Sequence, residues 1–336
     1  MQRVANTLLI ALFSALLPIA PLYAQDAGDT SYAGTTAWGD PDLQGLWTNA
    51  TLTPMERPVE LGNKAYFTEE DVKAMQAPPE PEPEPAGDKA EEVSVPVAGG
   101  NIGAFNAVWL DMGETLLSTR QTSLIVDPPN GRAQIRDSAM QVRDYRMQHL
   151  EDDYLNHTVW DRCITRGVPG SMLPAAYNNA YRIIQTPDHV VIMHEMIHEV
   201  RIIPLKKFTH NDEKIKSWMG DSVARWEGDT LVVETTNFND RGMIANSGAG
   251  GRLKGVPVTE DLHLVERFTR TGEDTIIWEV RITDPTIYAQ PFTISMPLTS
   301  DPDYTIYEYA CHEGNHAIAN ILSAGREREA REAAGL

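Results

Sequence analysis

From Tyr181 onward the chain repeats one local pattern, in which runs rich in Val, Ile, Thr and aromatic residues alternate with turn residues. The runs cover 181–186, 189–203, 223–227, 230–237, 261–270, 275–283, 291–298 and 304–311. Short turn signals separate several of them: Pro187-Asp188, Glu227-Gly228-Asp229 and Thr271-Gly272-Glu273-Asp274. β-Branched and aromatic residues fit a pleated, half-buried surface, and consecutive hairpins build an antiparallel meander. A meander of about eight strands removes its exposed edges by closing into a barrel. The predicted fold is therefore mainly β, an antiparallel meander closing into a barrel with a few short helices, and a two-sheet sandwich is the alternative. No βαβ alternation occurs and no Gly-rich phosphate loop follows a strand, which excludes a doubly wound nucleotide fold.

The segments before this repeat read differently. Thr7 to Ala20 is an apolar run behind Arg3, and Ala24 supplies a small residue for cleavage, so residues 1–24 read as a secretory signal. Residues 25–40 are polar and small and read as a disordered leader, and the remaining 41–336 as a single β-rich domain. Residues 77–98 alternate Pro with Glu and read as an extended, solvated loop within that domain. Thr68 caps a short helix to about Gln76, 120–126 is a strand ended by Asp127-Pro128-Pro129-Asn130-Gly131, and 137–152 is helical. No later stretch is apolar enough to cross a bilayer, so the expected location is a bacterial periplasm or the exterior, with no membrane insertion.

Charge and cysteine content narrow the partners. There are 28 Lys+Arg against 48 Asp+Glu, a net charge of −20, which argues against a nucleic-acid partner because phosphates need a basic face. Two Cys cannot build a disulfide-dense scaffold or a four-cysteine zinc site. In an oxidising compartment Cys163 and Cys311 are expected to pair. Free thiols or a Cys nucleophile are the alternative.

Gly45-Leu46-Trp47 resembles the Gly-x-Trp of lipocalin-type calycin barrels. The chain also resembles a family of secreted bacterial proteins through 41–58, 120–132, 162–179, 195–205, 218–238 and 307–315. That resemblance implies a secreted, β-rich protein and implies no reaction.

His194-Glu195-Met196-Ile197-His198 is a literal HExxH. The zinc-protease reading needs both His on one helical face, with the Glu as base. Here Val190, Val191, Ile192, Ile197, Val200, Ile202 and Ile203 demand a strand or a strand pair, where ligands and base would point apart. Both faces of 194–201 carry ionisable groups, which reads either as a cavity accepting polar groups or as an internal ion pair of Arg201 with Glu195 or Glu199. Glu266 also interrupts an apolar stripe, as does Glu308 in a row with Ile306, Ala310 and His312.

The proposed acid–base set is Glu195, His198, Glu308 and His312, with Arg201 orienting or neutralising an acid. A carboxyl in an apolar wall has a raised pKa, and imidazole titrates near neutral pH. No cofactor is called for, although His312 and His316 at i, i+4 offer an alternative metal site. No G-x-S-x-G nucleophile elbow occurs. The expected function is an exported lyase, isomerase or hydrolase acting on a small apolar or aromatic molecule in a barrel cavity. A non-catalytic binder of an apolar ligand is the alternative, and a His/carboxylate metal site is the third.

Overall fold

The structure, a computed structural model, describes residues 34–76, 110–207 and 209–335. The predicted signal and Pro/Glu-rich loop lie outside the described residues. Of the predicted leader, 34–40 are described, and they form a turn in which Thr36 N–H donates to Asp40 O at 2.8 Å.

Ten strands form one antiparallel sheet: β1 (Gly45–Thr48), β2 (Ile125–Asp127), β3 (Ala180–Gln185), β4 (His189–His194), β5 (Val200–Pro204), β6 (Asp221–Glu227), β7 (Thr230–Thr236), β8 (His263–Arg270), β9 (Thr275–Thr283) and β10 (Phe292–Ser300). Three helices accompany them, α1 (Glu69–Gln76), α2 (Asp137–Gln148) and α3 (Ala317–Ala333). Thr68 caps α1, its Oγ1 accepting from Asp71 N–H at 3.1 Å.

The strands run β5-β4-β3-β1-β10-β9-β8-β7-β6 around the sheet, a meander whose first strand pairs with its last. β1 and β2 share one edge of β10. Trp47 and Thr48 face Ser300 and Thr299, while Ile125 and Asp127 face Ile294 and Thr293. The chain between them leaves that edge and returns to it.

One seam stays open, and the topology makes its two strands parallel. Every paired neighbour in this nine-strand ring is antiparallel, so alternation from β1 in both directions leaves β5 and β6 pointing the same way. The antiparallel ladder that joins all other neighbours cannot form there, and no ladder joins β5 to β6 among the described residues. Side chains bridge the seam instead: Arg201 on β5 donates to Ser222 Oγ on β6 from Nε at 3.2 Å and Nη2 at 3.0 Å. Gly220 turns the chain into β6 at φ +69°, where a Cβ would lie 2.6 Å from Thr236 O.

Alternation sends one row of side chains inward. Ala224, Val233, Glu266, Val280 and Ile294 stand in register across β6 to β10. Leu264, Phe268, Ile276, Trp278, Val280, Ile282, Met296 and Leu298 have no accessible surface, so no water-sized space touches them. The barrel interior along these strands is packed core.

The run 189–203 is a strand pair, as its sequence allowed: β4 and β5, joined by a tight turn at 195–199. One expectation changes. The run 304–311 forms no strand. β10 already has β9 on one edge and β1 and β2 on the other, so the next segment finds no free edge of β10 to pair with.

Candidate functional site

The β4–β5 turn carries the first half of the site. Ile197 and His198 adopt positive φ values of 62° and 44°, costly for a β-branched residue. Ile197 is nevertheless buried, packing with Ala175 and Met196 beneath Trp160, Tyr177 and Tyr309. Burial of that side chain offsets the backbone strain.

Glu195 is 1% exposed and fully employed. Its carboxylate accepts from Asn178 Nδ2 at 2.9 Å, from the Tyr304 hydroxyl at 2.9 and 3.0 Å, and from the Tyr307 N–H at 3.2 Å. Burial, and then the bond to Glu195, push the Tyr304 hydroxyl's pKa up. This buried carboxylate therefore straps the 304–309 segment onto the turn. The Cys163–Cys311 disulfide fastens the same segment a few residues later, and His198 Nδ1 lies 2.9 Å from Tyr309 O.

Between this strap and the 150–178 region lies a groove of about 890 Å³ outside the barrel. Trp160, Tyr177, Tyr307 and Tyr309 line it with aromatic rings, and Leu150, Ile318 and Ile321 with aliphatic side chains. The Tyr177 and Tyr309 hydroxyls are 3.4 Å apart, and burial together with Tyr309 raises the Tyr177 pKa. Arg166 lies on the buried side, its Cζ 5.4 Å from the Trp160 ring centre and its Nη2 donating to Leu173 O at 3.1 Å. Burial lowers the Arg166 pKa to about 10. Glu199 faces it, accepting from Thr165 Oγ1 at 2.5 Å and Arg166 N–H at 3.3 Å, and burial raises its pKa.

The proposed acid–base residues do not converge. Glu308 lines the groove and is exposed, and it is the member of the set that does so. His312 is exposed and His198 is exposed on the turn. Arg201 serves neither Glu195 nor Glu199. It pairs with Glu266, which has no accessible surface, and Trp278 Nε1 donates to the same carboxylate at 3.2 Å. Glu266 is thus the structural carboxylate of an internal ion pair. The zinc-protease geometry is absent: His194 ends β4 facing inward beside Tyr181, while His198 points out. Among the described residues no three His, Cys, Asp or Glu side chains are arranged to hold a metal, so His312 and His316 lack a third ligand.

Trp160, Tyr177, Tyr307 and Tyr309 escape a reading based on strand alternation because they sit in irregular segments. Their only local sign is aromatic content near Cys163 and Cys311. No protein-family model matches the chain, and no curated protein matches it significantly. Among the described residues no helix is long and apolar enough to cross a membrane.

Proposed function

We propose that this is an exported, periplasmic or secreted protein that binds a small aromatic or apolar organic molecule in the groove between the 304–316 strap and the 150–178 region. The observation that carries the reading is a groove of about 890 Å³ lined by three tyrosines and a tryptophan together with the aliphatic side chains of Leu150, Ile318 and Ile321. Sites for small organic ligands commonly have this volume and this predominantly apolar lining. The disulfide supports an oxidising compartment, in keeping with the predicted signal and with the resemblance to secreted bacterial proteins.

Acid–base turnover of the bound molecule is the second reading, favoured by Glu308 on the groove wall. In that case Glu308 carries the chemistry, with Glu195 and Arg201 in structural roles.

The test uses the neutral fluorophore N-phenyl-1-naphthylamine. The parent protein is expected to enhance its emission. Ala310 is exposed and lines the groove, so Ala310→Trp fills the space without disturbing the core. The variant should lose the enhancement by about tenfold or more. Equal enhancement in parent and variant, or none in the parent, overturns the groove as the ligand site.

A further inference from the structure

We infer that the groove selects organic cations: a primary, tertiary or quaternary ammonium carried on an aromatic or short aliphatic group. The inference rests on the groove being the ligand site and names the class of ligand. Its permanently charged lining is one-sided. Asp161, Glu308 and Glu313 line it, and no Lys or Arg among the described residues does. His157 also lines it, with its Nε2 held 2.8 Å from Leu150 O. Asp161 is partly employed, its Oδ2 accepting from the Thr158 hydroxyl at 2.8 Å. Glu308 and Glu313 are exposed and form no ion pair among the described residues. Their unpaired carboxylates border the space that a ligand would occupy.

The aromatic lining reinforces the same sign. Ring faces are negative, and a cation held near several of them gains more as water is excluded. Tyr177 and Tyr309 lie with their ring centres 6.3 Å apart and their planes within 15° of each other, and Trp160 tilts toward Tyr177 at 5.8 Å. Tyr307 adds a ring that is 56% exposed.

Two positive features nearby do not reverse this. Arg166 is buried beneath Trp160, its charge felt by the nearby Glu199 carboxylate, and it does not line the groove. The first turn of α3 reaches the groove, but its first N–H, at Ala317, donates to Asn315 Oδ1 at 3.3 Å. The whole chain, at −20, adds a long-range attraction of the same sign.

The experiment compares benzyltrimethylammonium, benzyl alcohol and benzoate as probes of one ring with positive, neutral and negative substituents. Binding is followed by NMR on the tryptophan indole N–H signals, with Trp160 assigned through Trp160→Phe. The ammonium is expected to bind about tenfold more tightly than the alcohol. Benzoate should bind most weakly, and salt should weaken only the ammonium. Glu308→Gln combined with Glu313→Gln should reduce ammonium affinity by about three- to tenfold and leave the alcohol unchanged. Tyr307→Leu, at an exposed position that folding tolerates, should weaken the ammonium more than the alcohol. If the alcohol or benzoate equals or exceeds the ammonium at the Trp160 signal, cation selection is wrong and the groove still binds. If none of the three moves that signal at millimolar concentration, the groove reading fails as well.

Discussion

Arg201 on β5 and Glu266 on β8 meet inside the barrel as a two-pronged ion pair, Nη1 to Oε1 at 3.0 Å and Nη2 to Oε2 at 2.5 Å. Arg201 also donates to Thr235 Oγ1 at 2.8 Å and to Ser222, so one side chain ties β5 to β6, β7 and β8. It stands where the backbone ladder is missing. β5 and β6 are parallel neighbours with no ladder between them among the described residues, and a buried guanidinium with five donors spans the seam.

Removing one partner of this pair leaves an uncompensated charge in the core. Glu266→Gln or Arg201→Met alone is expected to cost about 3–5 kcal/mol in urea denaturation. Arg201→Met combined with Glu266→Leu should cost less than the sum of the two, because neither charge is then left buried alone. Additive losses in the double-mutant cycle would contradict the pairing.

His194 gives the fold a sensitivity to acid. Burial first, then the positive charges of Arg201 and Arg166, lower its pKa from 6.5 to about 3. Between those values the unfolded chain binds a proton that the folded chain refuses. Stability contributed by the neutral imidazole is therefore complete above pH 6.5 and falls as the pH drops toward 3. The slope from this one group is about 1.4 kcal/mol per pH unit. His194→Phe should flatten the acid limb of a stability-against-pH curve by that amount. An unchanged limb would mean that His194 protonates freely in the folded protein.

Cys163 and Cys311 close a loop with a sequence separation of 148. Denatured, unreduced protein should show no free thiol on titration. The paired change Cys163→Ala, Cys311→Ala should cost about 4–5 kcal/mol in the chain-entropy account. Because the bridge sits beside the groove, hydrogen exchange should speed up most in 304–316. Uniform acceleration over the barrel strands instead would show that the bridge supports the whole fold and not the strap.

What the chain reveals on its own is local. The two-residue alternation of Leu264, Glu266 and Phe268, or of Ile276, Trp278, Val280 and Ile282, declares each strand and its inward face, because side-chain direction in a strand depends only on position along it. The same alternation marks Glu266 as a buried carboxylate needing a partner, and export chemistry points to the Cys163–Cys311 pair. It misleads at 304–311, where an alternating run follows a strand, β10, whose two edges are already taken.

Tertiary structure decided the rest. Whether β5 meets β6 in parallel depends on the number of strands in the ring, which no single segment encodes. Glu195 meets Tyr304 across 109 residues, and the groove draws its rings from segments around 160, 177 and 307–309. Irregular segments have no period that betrays which way a side chain points. Trp160, Tyr177 and Tyr309 become neighbours only once the packed barrel, the buried carboxylate and the disulfide have set where those segments lie.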